Sequence, residues 1–313
     1  MNVIVTGASG FIGKNIVLKS PKTWDVVALY NQSLDFPQFI QRQKLKHVTA
    51  QPCDLTREKD IERLAKKNSA YFDLCIYLSA NGNPAFSALD PLIDLKKNTL
   101  ALVNFLNQIR IERFVFFSSG AVYDGLKGKV SPEMKINPKL PYAISKCASE
   151  QYVQFFTQKG RVEEYVILRF FGAFGQYEPE RKIYTKLIKT FFLEKKNKFT
   201  VRGDGRNLID AMYIDDTIEG IFKVVASKNK NLTVDFCSGQ PITIDELVKK
   251  AALVFKRNKI NIVHEGEVAE YIAFRASSLA MNRLFGFKPR ISLEEGLTRF
   301  AEFLKDSKVK HNA

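Results

Sequence analysis

The sequence TGASGFIG occupies residues 6–13, between the apolar run Val3-Ile4-Val5 and a segment of helical periodicity over residues 10–19. Gly7 permits a tight turn, and Gly10 lets backbone N–H groups approach a diphosphate at the positive end of a helix. Gly13 lets the helix pack closely on the strand. The stretch therefore predicts a strand, turn and helix that bind a dinucleotide.

Short apolar runs alternate with helical periodicity along the chain. Several runs are apolar at successive positions, as in strands buried on both faces of a parallel sheet. The predicted strands are residues 3–6, 26–30, 74–79, 114–118, 165–169 and 233–237. The predicted helices between them are residues 10–19, 60–67, 92–110, 142–159 and 215–226. This alternation predicts an α/β fold, a doubly wound parallel sheet of the Rossmann type.

The pattern changes after residue 170, where the connections become longer and richer in glycine and proline. Further helices are predicted over residues 182–194, 244–255 and 292–304. We therefore expect a dinucleotide-binding Rossmann domain of residues 1–170 and 209–238. A smaller, C-terminal substrate-binding lobe would comprise residues 171–208 and 239–313.

Composition excludes several classes of protein. The 313 residues are 45% apolar, which excludes wholesale disorder, and no window approaches the roughly 18 to 20 apolar residues of a membrane span. The net charge, 48 − 33 = +15, is spread widely and accompanies no nucleic-acid-binding motif. We expect no nucleic-acid partner and no membrane partner; the charge is interpreted as solvated helix faces and loops, and small phosphorylated ligands remain open as a further reason.

The four cysteines, Cys53, Cys75, Cys147 and Cys237, lie in different segments and show no C-x-x-C spacing. They predict reduced thiols, and neither a disulfide framework nor a metal site. The N-terminus enters an apolar run without a basic leader, so a cytoplasmic location is expected.

A Y-x-x-x-K motif is formed by Tyr142 and Lys146 on a predicted helix, where residues four apart share a face. A lysine ammonium there would help to lower the tyrosine pKa from about 10, so that the phenol could exchange a proton with a hydroxyl or carbonyl group. A second copy, Tyr123 and Lys127, is discounted because Gly125 and Gly128 make its segment a loop.

A third element lies between the first two, over residues 114–123. Its buried strand ends in Ser118-Ser119, which places hydroxyl groups at the carboxyl edge of the sheet, where ligands of doubly wound folds bind. The three elements, in this order, resemble the extended short-chain dehydrogenase/reductase family. Within it they are most similar to the NAD-dependent epimerase/dehydratase group typified by UDP-galactose 4-epimerase.

This resemblance implies a catalytic set. Tyr142 would be the acid/base, Lys146 would bind the nicotinamide ribose and depress the tyrosine pKa, and Ser119 would hydrogen-bond the reacting oxygen. The implied cofactor-binding residues are Gly7, Ser9, Gly10, Phe11, Ile12, Gly13, Asn31, Asp54, Leu55, Leu78, Ser79, Ala80, Asn98, Tyr142 and Lys146. The implied substrate-binding residues are Ser119, Tyr142, Gly172, Arg181, Lys182, Arg206 and Arg275. A homodimer acting on a nucleotide sugar is implied as well.

Departures from the family pattern restrict the chemistry. The Asp-Glu pair of the 4,6-dehydratases is replaced by Gly120 and Ala121, so dehydration lacks its acid. Ala121 also replaces the cysteine of the C3/C5 epimerase-reductases, and no histidine matches their motif. Gly172 stands where a substrate-contacting asparagine is usual, and Ile209 replaces an arginine. The cations near these positions would therefore have to supply the contacts to a diphosphate.

The choice of cofactor depends on the end of the second strand, where NAD-specific members normally carry an acid. Here Asn31 is followed by Gln32 and Ser33, and no carboxylate lies between the end of the second strand and Asp35. Lys14 follows the glycine motif. NAD and NADP both remain open, with NADP favoured. A missing ribose contact also favours a cofactor that exchanges easily. A reductase must exchange its cofactor in every turnover, whereas an epimerase regenerates its own, so a 4-keto-sugar reductase is favoured over a nucleotide-sugar 4-epimerase. A catalytically silent NAD(P)-binding protein is the remote alternative.

Overall fold

The computed structural model describes residues 1–68, 70–82, 87–267 and 272–311. The chain divides into two compact units. The first unit comprises Met1–Asp124, Pro132–Phe170 and Ile221–Phe236, and the second comprises Gly125–Ser131, Phe171–Gly220 and Cys237–Ala313. Residues 268–271, 312 and 313, which belong to the predicted C-terminal lobe, lie outside the described residues.

The secondary structure alternates between strands and helices. The strands in chain order are β1 (Asn2–Thr6), β2 (Asp25–Tyr30), β3 (Val48–Pro52), β4 (Tyr71–Tyr77), β5 (Arg110–Ser119), β6 (Lys127–Lys129), β7 (Val162–Phe170), β8 (Ala173–Phe174), β9 (Lys198–Arg202), β10 (Leu208–Ile209), β11 (Met212–Tyr213), β12 (Leu232–Phe236), β13 (Ile242–Thr243), β14 (Asn261–Glu265) and β15 (Ala273–Arg275). The helices are α1 (Phe11–Lys19), α2 (Phe36–Arg42), α3 (Glu58–Lys67), α4 (Pro91–Asp94), α5 (Ala101–Gln108), α6 (Pro141–Gln158), α7 (Ile183–Ile188), α8 (Ile214–Ala226), α9 (Ile244–Val254), α10 (Leu279–Phe285) and α11 (Leu293–His311). Leu95–Leu100 and Lys189–Leu193 are π-helical, and Gly120–Tyr123 is a 3₁₀ turn.

The first unit contains the predicted sheet. Among the described residues, seven parallel strands pair in the order β12-β7-β5-β4-β1-β2-β3. Their central residues are buried, as in Val3-Ile4-Val5, because helices cover both faces of a doubly wound sheet. The predicted fold class is confirmed. All seven strands run in the same direction, so the turns that follow β1, β2, β4 and β5 meet at one edge of the sheet.

The second unit is built from small two-stranded sheets and helices. Strand β11 pairs with β8, β10 with β13, β14 with β9, and β15 with β6. A capping box starts α9, where the Thr243 hydroxyl accepts from Glu246 N at 3.1 Å and Glu246 accepts from Thr243 N at 2.8 Å. Three segments expected in the Rossmann domain, 125–131, 209–220 and 237–238, belong to this unit. Strands β6 and β11 of the first two segments pair with β15 and β8, which explains the difference there.

Candidate active site

The glycine turn after β1 has the backbone geometry that its sequence predicts. Gly7 has a φ of 64°, in the left-handed region, and a Cβ on it would lie 3.2 Å from Ser79 N. A Cβ on Gly13 would lie 2.4 Å from Gly7 O and 2.6 Å from Ala8 Cα, both backbone atoms that cannot move aside. Only glycine lets α1 begin this close to β1.

Backbone N–H groups at the start of α1 provide the donors for an anion. Gly10 is the N-cap of this helix of nine residues and carries no side chain that could cover them. The first turn contains no acidic residue. The residues present therefore fit the diphosphate of a dinucleotide. Ser9, Phe11 and Ile12 lie in the same turn.

The end of β4 is fixed to the end of β1 by one hydroxyl. Thr6 Oγ1 accepts hydrogen bonds from Leu78 N at 3.0 Å and from Ser79 N at 3.1 Å. This places Leu78, Ser79 and Ala80 next to the glycine turn, as the resemblance implies for cofactor contacts.

The candidate adenosine-side residues follow β2 and β3. Asn31 is exposed just after β2. Leu55 is buried, and Asp54 Oδ1 accepts from Thr56 N at 3.0 Å and from Thr56 Oγ1 at 2.7 Å. Those bonds hold one oxygen of the Asp54 carboxylate within its own turn. Asn31, Asp54 and Leu55 thus share the sheet edge that carries the glycine turn.

Asn98 occupies the π-helical segment and is buried. Its side chain donates to Ser145 Oγ at 2.8 Å and to Asp94 Oδ1 at 3.2 Å, and it accepts from Asn81 N at 2.6 Å. Asp94 is fully buried and also accepts from Ser87 Oγ. Sequence reasoning missed Asp94, because its segment alone does not reveal that a carboxylate points inward.

The three predicted catalytic residues come from two neighbouring elements. Ser119 ends β5, and Tyr142 and Lys146 lie in the first turns of α6. Burial raises the pKa of Tyr142 to about 12, a hydrogen bond with the Ser119 side chain lowers it, and the charge of Asp94 raises it. The structure thus brings Ser119 and Tyr142 into direct contact.

Lys146 is 3% exposed, and its ammonium donates to Phe117 O at 2.7 Å. Burial lowers the pKa of Lys146 to about 8, while the charges of Glu150 and then Asp94 raise it. In this geometry the lysine is directed at a backbone carbonyl of β5, and Ser119 is the group that lowers the pKa of Tyr142.

The second Y-x-x-x-K copy has a different environment. Tyr123 is fully buried and donates to Asp235 Oδ1 at 2.7 Å, and burial raises its pKa further than that of Tyr142. Lys127 lies on the short strand β6, not on a helix. The copy at Tyr142 is therefore the one whose two residues share a helix.

The candidate substrate-binding residues of the second unit lie on separate elements. Gly172 precedes β8 and approaches Ala211, where a Cβ would lie 3.3 Å from Ala211 Cβ. Arg181 and Lys182 are exposed just before α7, and Arg275 is exposed on β15. Arg206 is exposed and paired with Asp204 Oδ2 at 2.6 Å.

A doubly wound sheet with this glycine turn and a Ser-Tyr-Lys set defines a short-chain dehydrogenase/reductase. A sequence model of the NAD dependent epimerase/dehydratase family matches residues 3–235. The chain belongs to this family of NAD-dependent enzymes, and the resemblance inferred from its sequence is confirmed.

Relatives and solved structures agree with this assignment. A putative UDP-glucose 4-epimerase of Methanocaldococcus jannaschii is 30% identical over 97% of this chain and 99% of its own. The UDP-glucose 4-epimerase of Thermotoga maritima with UDP-glucose is similar with a TM-score of 0.86, at 23% identity over 98% of this chain and 100% of that one. A UDP-glucuronic acid 4-epimerase of Bacillus cereus, in complex with UDP-glucuronic acid and NAD, has a TM-score of 0.85, 22% identity and coverage of 98% and 100%. The likeness to these two structures is one of fold.

Among the described residues, no helix has both the length and the apolar character that crossing a membrane requires.

Proposed function

We propose that this chain interconverts two nucleotide sugars that differ in configuration at C4, through a transient 4-keto sugar. The observation that carries the proposal is that the Ser119 side chain lies within hydrogen-bonding reach of the Tyr142 phenol, at the edge of the sheet that also carries the glycine turn. A phenol that is bonded to a serine hydroxyl at this edge of the sheet has a defined position from which to exchange a proton with a sugar oxygen.

Three residues of the chain would have separate roles in the reaction at C4. Tyr142 takes the proton of the C4 hydroxyl and returns it to the 4-keto oxygen, and Ser119 hydrogen-bonds the same oxygen. Lys146 holds a positive charge next to these groups. NAD, when bound, supplies the hydride acceptor and donor. Gly7, Gly10, Gly13, Ser79 and Asn31 are the residues we assign to holding it.

Two observations favour epimerisation over the 4-keto reduction that the missing acid at Asn31 suggests. The relative that is 30% identical over nearly the whole chain is named a 4-epimerase, as is the UDP-glucuronate 4-epimerase of Thermodesulfobacterium geofontis, at 24% identity over 97% of this chain. The argument for a reductase depended on the missing acid at Asn31, which is one ribose contact among several. Dehydration stays disfavoured, because Gly120 and Ala121 carry no acid.

We propose NAD as the cofactor, and we propose that the same site also accepts NADP. Asn31 is exposed after β2, where it carries no charge that would repel a 2′-phosphate. Lys14, directly after Gly13, begins the second turn of α1. The substrate's diphosphate would be held by Arg181, Lys182, Arg206 and Arg275.

The test begins with the purified protein and UDP-glucose, UDP-galactose, UDP-glucuronate and UDP-N-acetylglucosamine as substrates. We expect C4-epimer formation, followed by NMR of the sugar, with no net consumption of added NADH or NADPH. Denaturation should release close to one equivalent of NAD⁺, because an epimerase regenerates its cofactor in every cycle. Stoichiometric consumption of NADPH with a 4-keto nucleotide sugar, and little retained nucleotide, would instead support the reductase.

A further inference from the structure

A chain of buried polar side chains crosses the first unit behind Lys146. Its members come from β5, the 3₁₀ turn, α6, β7 and β12, and each is at most 5% exposed. They are Ser118, Tyr123, Glu150, Arg169 and Asp235. The proposed proton transfer uses none of them.

Glu150 is held on two sides. Arg169 forms a bidentate pair with its carboxylate, with Nη2 donating to Oε2 at 2.8 Å and Nε donating to Oε1 at 3.1 Å. Ser118 Oγ donates to the same Oε1 at 2.5 Å. A bidentate arginine and a hydroxyl leave a buried carboxylate one orientation.

Arg169 is itself fixed by the rest of the chain. Its Nη1 donates to Tyr123 OH at 3.1 Å, and its guanidinium lies over the tyrosine ring, 5.1 Å from the centroid. Tyr123 OH donates in turn to Asp235 Oδ1 at 2.7 Å. The charged side chains of Glu150, Arg169 and Asp235 therefore each have a partner within this set of five residues.

Glu150 follows Lys146 by four residues on α6, so the two side chains share a helix face. Adjacent residues of β5 bind them both, since Phe117 O accepts from Lys146 Nζ and Ser118 Oγ donates to Glu150. The charged groups that act on Lys146 are Glu150 from its own helix and Asp94 from α4.

Buried groups of both charge signs lie on these elements, with Asp94 as a further acid. Lys146 and Arg169 are cations, and Glu150 and Asp235 are acids. Burial raises the pKa of Asp235 to about 7, hydrogen bonding to Tyr123 lowers it, and so does the charge of Arg169. Cys147 also lies within the field of both Glu150 and Arg169. Glu150 forms the ion pair with Arg169, and its charge also acts on Lys146, four residues before it on α6.

We propose that Glu150 is a positioning residue for Lys146, whose buried amine it keeps protonated through a carboxylate that Ser118 and Arg169 hold in place. The role of Lys146 in turnover rests on the proposed function, whereas its protonation can be measured without any substrate. The alternative is that Glu150 only stabilises the fold through its ion pair with Arg169.

The test is an NMR titration of the lysine Cε signals of the whole chain between pH 6 and 11, with Lys146 assigned by its loss in Lys146→Met. Glu150→Gln keeps the shape of the side chain but removes its charge. We expect the Lys146 midpoint, about 8 in the unaltered chain, to fall by at least about one pH unit, a tenfold change in proton affinity. Glu150→Asp, which restores the charge, should bring the midpoint back.

Glu164→Gln is the matched control. Glu164 pairs with Arg113 on the neighbouring parts of β7 and β5, so its loss also breaks a largely buried glutamate–arginine pair. We expect loss of thermal stability but no change in the Lys146 midpoint. An equal midpoint in Glu150→Gln and the unaltered chain would overturn the proposal and leave Glu150 a structural role.

Ser118→Ala covers the case in which Glu150→Gln does not fold. It preserves all charges and loosens the carboxylate, so the Lys146 midpoint should fall in the same direction by a smaller amount, and an unchanged midpoint would overturn the proposal. The high-pH limits of turnover and of NAD⁺ affinity should move with the midpoint. A midpoint that falls as expected in a chain without epimerase activity would contradict the proposed function alone.

Discussion

At Tyr142, burial and hydrogen bonding act in opposite directions on the pKa of the phenol. Burial raises it to about 12, and the Ser119 hydroxyl lowers it. The phenol therefore holds its proton at neutral pH in the cofactor-free chain. In the proposed reaction, the positive charge of Lys146, whose own pKa burial lowers to about 8, assists the phenol in taking a proton from the sugar hydroxyl.

Tyr142→Phe removes the phenolic proton and leaves the helix intact. We expect turnover to fall by about 10² to 10⁴, the range for a positioned acid/base, while calorimetry shows NAD⁺ binding unchanged. Tyr71→Phe is the control, since it removes the same atom at the opposite edge of the sheet, where the hydroxyl donates to exposed Glu112 at 3.1 Å. Turnover close to normal in Tyr142→Phe would refute the catalytic assignment.

The cations of the second unit carry the proposed diphosphate contact. Arg206→Ala and Arg181→Ala should each weaken nucleotide-sugar affinity by about 1.5 to 3 kcal/mol, the range for a charge-assisted hydrogen bond, and leave NAD⁺ affinity unchanged. Isothermal titrations with UDP-glucose and, separately, with NAD⁺ measure the two affinities. Arg110→Ala, which breaks an exposed pair with Glu163, should change neither affinity. Full affinity in both test variants would mean that other groups hold the diphosphate.

At the level of elements, two local irregularities shape the site. The approach of α1 to β1 requires glycine at position 13, where a Cβ would meet backbone atoms only. The π-helical segment Leu95–Leu100 contains Asn98, which bonds Ser145 on α6. π-helical turns inside helices are frequent at functional sites, and this one links α4 and α5 to the helix of Tyr142.

Gly13→Ala tests the first irregularity. The added Cβ would force α1 away from β1, so we expect a loss of about 1 to 3 kcal/mol in the free energy of unfolding and weaker NAD⁺ binding. Chemical denaturation and calorimetry measure these quantities. Gly10→Ala is the milder comparison, because its Cβ meets only Gly7 O, at 3.2 Å. Equal stabilities of the two variants would contradict the packing argument.

For the whole molecule, we propose a homodimer that forms through α6 and the adjoining helix of the first unit. Leu92 and Leu95 are 57% and 54% exposed, and Ile144 and Phe155, about three helical turns apart on α6, are 48% and 45% exposed. Large apolar side chains exposed on two packed helices are typical of an interaction surface.

Sedimentation velocity should show the unaltered chain at twice its 35.6 kDa mass. The double variant Leu95→Asp, Phe155→Asp should sediment as a monomer with its secondary structure intact, because a charge would be buried unpaired at the interface. The double variant Leu34→Asp, Leu279→Asp alters even more exposed apolar residues away from α6 and should stay dimeric. A monomeric unaltered chain would contradict the dimer.

Local signals carry much of the fold. Six strands were predicted from apolar runs because central strands are buried on both faces, as Val3-Ile4-Val5 shows. Strand β3 was missed because it is an edge strand, and Val48-Thr49-Ala50-Gln51-Pro52 therefore contains polar residues and lacks a continuous run. The glycine turn and the Y-x-x-x-K spacing needed no tertiary information, since each lies within a short stretch of consecutive residues, 6–13 and 142–146.

The sequence by itself thus determined the family and the parallel sheet, and it predicted binding residues at the edge where the turns of that sheet meet. Only the tertiary structure decided that Asp94 is buried beside Asn98, and that Glu150, Arg169, Tyr123 and Asp235 form one chain. The physical reason is distance along the sequence. Tyr123 and Asp235 are 112 residues apart, and they meet because the sheet places β12 next to β7 and β7 next to β5. No local pattern encodes that strand order. The buried polar groups nevertheless depend on it, because a polar group removed from water needs a partner that the strand order brings to it.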